Sequence, residues 1–101
     1  NATTSVALDF NGKIFEENSS GDGQYDAFWN AINKIYKNQK IKLPNLIDYA
    51  VRIPPGSNSD ALCETSITWK YNDHDFSTRG LDSDQTVSAI KATEKMLNII
   101  S

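Results

Sequence analysis

The chain has 101 residues, a formal net charge of −3, 39% hydrophobic residues and 10% aromatics. A chain of that size holds one domain with a thin core, and its composition is that of a folded protein. The acidic balance, with no basic stripe interleaved with aromatics, argues against nucleic acid, and no apolar run approaches the ~20 residues that span a bilayer. One cysteine, Cys63, leaves no internal disulfide and no cysteine-based metal framework, and it fits a reducing, cytoplasmic setting. No signal-peptide pattern opens the chain. It starts directly in a strand-like segment, as expected of a piece of a larger protein.

In chain order, Val6, Leu8 and Phe10 alternate with Ser5, Ala7 and Asp9, which predicts a half-buried strand over 4–10. Asn11-Gly12 predicts a tight hairpin and a return strand over 13–17. After Gly21-Asp22-Gly23, the residues Tyr25, Phe28, Trp29, Ile32, Ile35 and Tyr36 recur at helical spacing. Asp22 is placed to cap that helix and Asn38 to end it. Ile47, Tyr49, Val51 and Ile53 form a third alternating strand, stopped by Pro54-Pro55-Gly56. Cys63, Thr65, Ile67, Trp69 and Tyr71 mark a long fourth strand, and a short fifth is expected around Phe76 and Thr78. Asp82 and Gln85 have capping-box spacing, with Asp in the Ser/Thr place, ahead of a helix burying Ala89, Ile90, Thr93, Met96, Leu97 and Ile100.

The expected class is α+β, built of two pseudo-repeated β-β-(β)-α units with antiparallel sheets and one helix each, over about 3–38 and 45–101. Gly21–Ile32 can be laid over Gly80–Ile90 with one early gap, which sets Asp26 over Asp84. Neither unit covers its own sheet, so the two are expected to pack together in one domain.

No catalytic constellation is found: no nucleophile elbow, no HExxH and no Cys/His ligand spacing. His74 in the turn Asn72–Asp75 reads as a solvated hairpin residue. Gly-Asp-Gly departs from both common phosphate loops, and Asp22 and Asp26 would repel a pyrophosphate; Gly21 and Gly23 read as turn residues, with φ > 0 allowed. What a helix start can hold is a small carboxylate, through its free N–H groups and dipole. A zwitterion would also need an acceptor for its ammonium, such as carbonyls of the loop Pro54–Ala61, and an apolar hole lined by Leu46, Tyr49 and Ile53.

Three segments carry a resemblance: SSGDGQYDAFWNAI, LIDYAVRIPPGSNSDALCETSITW and FSTRGLDSDQTVSAIKATEKMLN. In this order and spacing they resemble the C-terminal regulatory domain of the 2-isopropylmalate synthase and citramalate synthase family, across nearly the whole chain. The chain departs from the family pattern at Gln24-Tyr25 (often Pro-Val), at the stiffer Ile53-Pro54-Pro55-Gly56, and at Arg79-Gly80-Leu81, where GxG is common. The resemblance implies a two-fold homodimer that binds an end-product amino acid, leucine or isoleucine, for feedback inhibition in branched-chain amino-acid biosynthesis. It implies no catalysis and no cofactor in this domain. A separate TIM-barrel domain would condense acetyl-CoA with a 2-oxo acid, using a divalent metal.

Carried onto this chain, the resemblance makes Leu46, Tyr49 and Ile53 the side-chain pocket, has Asp60, Ala61 and Cys63 bound the site, and sets Ser83 and Gln85 at the effector's carboxylate. Tyr49 and Ile53 read equally as core residues, and Cys63 as a small buried hydrophobe. On this reading Gly-Asp-Gly is a structural turn, and Asp82–Gln85 is the ligand-holding helix start. Ile53 would narrow the pocket toward isoleucine, with leucine nearly level. The alternative is a dimerisation module whose ligand site has decayed.

Overall fold

The computed structural model describes residues 2–10, 12–54 and 62–101. Ala2–Phe10 (β1) and Lys13–Gly21 (β2) pair antiparallel, and Gln24–Asn38 (α1) covers them. Asn45–Arg52 (β3), Cys63–Tyr71 (β4) and His74–Asp82 (β5) form a second antiparallel sheet in the order β3-β4-β5, covered by Gln85–Ile100 (α2). The chain divides into two compact units, Asn1–Leu43 and Pro44–Ser101. The class is α+β, with one helix to each antiparallel sheet.

Two strands outrun their sequence signals. β2 continues past Glu17 to Gly21 although Asn18, Ser19 and Ser20 carry no apolar alternation. Pairing carries it: Thr4 lies opposite Ser19 and Ala2 opposite Gly21. On the other edge of β2, Asn30 Nδ2 donates to the Ser20 carbonyl and Lys34 Nζ to the Asn18 carbonyl, each at 2.9 Å. β5 is likewise nine residues rather than a short stretch, and Lys91 Nζ donates to its Leu81 carbonyl at 3.2 Å. In both units a helix side chain replaces the partner strand at that edge.

The units share one plan at a constant spacing. β1, β2 and α1 begin at 2, 13 and 24; β4, β5 and α2 begin at 63, 74 and 85. Each start lies 61 positions after its counterpart. The hairpin registers follow: Ala2 faces Gly21 as Cys63 faces Asp82, and Phe10 faces Lys13 as Tyr71 faces His74. The buried helix positions follow too, from Ala27 and Ser88 through Tyr36 and Leu97. The overlay of Asp26 on Asp84 is corrected by nearly one helical turn. Asp84 is the N-cap of α2, whereas Asp26 lies inside α1, whose N-cap is Gly23.

The helix faces differ from expectation at their edges. α1 buries Ala27 and Ala31 with Phe28, Ile32, Ile35 and Tyr36, while Tyr25 and Trp29 are half-buried on the flank. α2 buries Ser88, Ala89, Ala92, Thr93, Met96 and Leu97; Ile90 and Ile100 are half-buried. Small residues lie inside because the helices come close to their sheets. A Cβ on Gly80 would stand 1.9 Å from the Ser88 carbonyl oxygen and 2.7 Å from the Ala92 nitrogen. A Cβ on Gly21 would stand 2.6 Å from the Ala27 nitrogen. Close approach, rather than the positive φ expected of the Gly-Asp-Gly turn, is what Gly21 supplies: among described glycines only Gly12 has positive φ.

At that distance hydroxyls join helix to sheet. Trp69 Nε1 donates to Thr78 Oγ1 at 2.8 Å, and Thr78 Oγ1 donates to the Ala92 carbonyl at 2.7 Å. Ser88 Oγ gives its proton to the Gln85 carbonyl at 2.7 Å, so the 2.6 Å bond between Thr65 and Ser88 runs from Thr65. Thr65, Trp69 and Ser88 are fully buried, and each polar atom is satisfied, which avoids the cost of a buried orphan donor. Gly80→Ala is expected to lower stability by about 2–3 kcal/mol in urea unfolding, because Ser88 backbone must move. Gly23→Ala, with nothing within 4 Å of its Cβ, is expected to cost no more than about 1 kcal/mol.

Candidate functional site

β3 lies at the edge of the second sheet, and α2 rests on β5 and β4, leaving β3 largely outside its cover. Cross-strand partners share a sheet face. Tyr49 lies opposite Ile67 and Val51 opposite Thr65, both buried under α2, so Tyr49 and Val51 stand on the helix side of the sheet. Neither is buried: Tyr49 is 37% exposed, Val51 is 36% exposed, and Ile53, which follows the strand, is 63% exposed. Tyr49 and Ile53 are therefore exposed beside the core rather than part of it. Together with Val51 they form an apolar strip open to one side of the helix.

Leu46 lies near the start of β3. The register shifts between Leu46 and Asp48, so Ile47 leaves the alternation and Leu46, opposite Trp69, shares the face of Tyr49. Its place at the far end of the strand is about 20 Å from Ile53 at ~3.3 Å per residue. Leu46 thus shares a face of β3 with Tyr49, while Ile53 lies beyond the other end of the strand. Asp60 and Ala61 lie outside the described residues.

Cys63 is half-buried and faces Asp82, at the end of the sheet where α2 begins. Ser83 and Gln85 are exposed at that end. The capping scheme differs from the one expected: Asp84, not Asp82, caps α2, its carboxylate accepting from the Val87 N–H at 3.1 Å. Asp82 stands one step earlier, accepting from the Asp84 N–H at 2.9 Å and from Lys91 Nζ at 2.8 Å. One free N–H of the first turn is thus already satisfied by the chain's own carboxylate, and a second carboxylate stands beside it. Asp82, Asp84 and Lys91 thus gather at the start of α2, each carboxylate already accepting a hydrogen bond from the chain. Lys91 was not legible as a partner, since nothing local joins it to a residue nine positions back.

The start of α1 contrasts with it. Gly23 caps with no side-chain bond, so Asp22 does not cap, and the acid of the first turn is Asp26. Among the described residues no group of His, Cys, Asp and Glu is placed to hold a metal. His74 is exposed in the β4–β5 hairpin. No described helix is long and apolar enough to cross a membrane.

Over residues 1–101 the sequence matches the family described as the LeuA allosteric (dimerisation) domain. The chain belongs to that family. Relatives of the LeuA domain include the 2-isopropylmalate synthase of Shewanella sediminis, 30% identical over 101 residues, which is 100% of this chain and 18% of that protein. The synthase of Aquifex aeolicus is 33% identical over 97 residues, 95% of this chain and 18% of the relative. That of Klebsiella pneumoniae is 34% identical over 99 residues, 98% of this chain and again 18% of the relative. The LeuA domain described here thus spans 18% of the length of these relatives.

The hydrogen bond from Lys91, helped by the Asp84 N–H, holds the Asp82 carboxyl below its ordinary value in the folded LeuA domain. The unfolded chain then binds the proton more tightly. The contribution of Asp82 is complete above the ordinary carboxylate range and is lost as pH falls through the lowered value. Asp82→Asn is accordingly expected to lose less stability than the parent sequence between about pH 5 and pH 2. Asp84→Ala is expected to cost about 1 kcal/mol at neutral pH, through loss of the cap. Urea titrations at stepped pH check both.

Proposed function

We propose that this domain is the effector-binding module of a 2-isopropylmalate synthase, taking up leucine and lowering the activity of a catalytic domain elsewhere in the polypeptide. The observation that carries the reading is the strip of Tyr49, Val51 and Ile53, apolar and exposed at the edge of the second sheet. A branched aliphatic side chain suits the strip, and the carboxylates of Asp82 and Asp84 suit its ammonium group. The names of the relatives favour leucine. Ile53 in place of a smaller residue tilts the pocket slightly toward isoleucine, and the names of the relatives outweigh that tilt.

The domain acts as a homodimer, in keeping with the description of its family. A partner copy covers part of the apolar strip. Catalysis, with acetyl-CoA, a 2-oxo acid and a divalent metal, belongs to the separate domain. The coupling between effector and catalytic sites is on the order of 1–3 kcal/mol.

Leucine at millimolar concentration is expected to raise the melting temperature of the domain. Tyr49→Ala is expected to abolish most of that rise while the dimer persists in light scattering. Response to none of leucine, isoleucine or valine would overturn the reading, and a stable dimer without response would identify a dimerisation module alone. A larger shift with isoleucine than with leucine would return the effector to the citramalate branch.

A further inference from the structure

We propose that β5 pairs with β5 of a second copy of the chain across a two-fold axis, joining the two three-stranded sheets into one continuous antiparallel sheet. The proposal is independent of the effector reading, because the strip of Tyr49, Val51 and Ile53 lies at the opposite edge of the sheet. It begins from what the outer edge of β5 leaves open. A strand edge displays free N–H and C=O groups and invites pairing unless something blocks it.

β5 runs nine residues in unbroken register with β4, contains no proline or lysine, and has no strand on its other side among the described residues. The other edge of the sheet is broken, since β3 carries a register shift and leads on to Pro54. Ladder parity identifies the groups on offer. Leu81 turns its carbonyl away from β4 to accept from Lys91, and outward residues alternate along a strand. Asp75, Ser77 and Arg79 therefore also present N–H and C=O outward. The Lys91 bond closes the edge at Leu81, and the strand begins at His74. What stays open is the stretch from Asp75 to Arg79, centred on Ser77.

A two-fold contact sets a patch against itself, so the patch must be complementary to its own copy. With Ser77 opposite Ser77 of the second copy, Asp75 lies opposite Arg79, and Arg79 opposite Asp75. All three pairs are of the kind that exchange both backbone bonds. Opposite charges placed directly across a ladder stabilise it, and like charges weaken it. A slip of two residues in either direction loses both charge pairs, which sets the register. The side chains of Asp75, Ser77 and Arg79 are exposed on the face away from α2, alternating with Thr78 and Gly80 beneath the helix. Within the chain neither charge is tightly held. Arg79 lies opposite Ser66 with no ion pair among the described residues, and Asp75 stands 4.0 Å from Lys70.

On the helix side the same register sets His74 of the second copy opposite Gly80. A groove of about 430 Å³, lined by Gly80, Leu81, Lys91, Glu94, Lys95 and Asn98, lies there between β5 and the flank of α2. The helix thus leaves room beside the edge for an incoming chain. Because β5 lies across the sheet from the strip, this contact adds to one that covers the strip, and it doubles the number of copies in the assembly.

Sedimentation equilibrium and backbone hydrogen exchange test the proposal. Arg79→Asp, which sets acid against acid on both sides of the axis, is expected to halve the sedimenting mass. Asp75→Arg combined with Arg79→Asp puts opposite charges back across the axis and is expected to restore it. In the wild-type chain, exchange at the Asp75, Ser77 and Arg79 amides is expected to slow at least about tenfold as concentration rises through assembly. An unchanged mass in Arg79→Asp, or a double variant as light as the single one, would overturn the proposal. Rapid exchange at those amides at every concentration would also overturn it. Should either variant not fold, exchange in the wild-type chain alone decides.

Discussion

Helix and strand backbones nearly touch where α2 crosses β5, and only glycine fits there. With Gly80 beneath Ser88 and Ala92, the helix axis is pinned over β5 and β4. Hydroxyls then replace apolar bulk at the contact, and Trp69 fills the space left beside them. The same placement leaves β3 outside the helix footprint. The apolar strip on β3 is thus a consequence of how tightly the other two strands are covered. Widening the contact at Gly80 would disturb the hydroxyl bonds and the strip together.

The two units show how one plan has been specialised. Positions Thr4 and Thr65, Ser5 and Ser66, Asn11 and Asn72, Phe15 and Phe76, Gln24 and Gln85, Ala31 and Ala92, and Lys34 and Lys95 keep the same residue. Elsewhere the chemistry has diverged. Bulky apolar residues, Phe28 and Ile32, fill the α1 interface where α2 uses Ala89 and Thr93. Gly23 leaves the start of α1 without a side-chain cap, whereas Asp84 closes that of α2. The edge-covering role survives the divergence: Asn30 and Lys91 occupy equivalent positions and bond to equivalent carbonyls through different side chains.

Regular alternation made β1, β3 and β4 legible in the sequence, and helical spacing made both helices so. What escaped depends on distance in space or on a choice between neighbours. Nothing in Asp82-Ser83-Asp84 says which acid is the cap, and the structure selects the second while tying the first to Lys91. The repeat was visible as a plan but not in register, because its identical pairs are scattered and the obvious Gly and Asp matches are misaligned. Of the expected site, the sequence made the apolar character of Tyr49 and Ile53 plain, but not their exposure, which follows from where α2 sits.

Each unit holds one of the two tryptophans, and their surroundings differ. The indole of Trp69 is sealed from water and hydrogen-bonded to Thr78, while Trp29 lies half-buried on the flank of α1. Two fluorophores of unlike polarity are therefore built into the chain, the inner one emitting at shorter wavelength than the outer. Intrinsic emission can follow the melting of each half separately, with no label added.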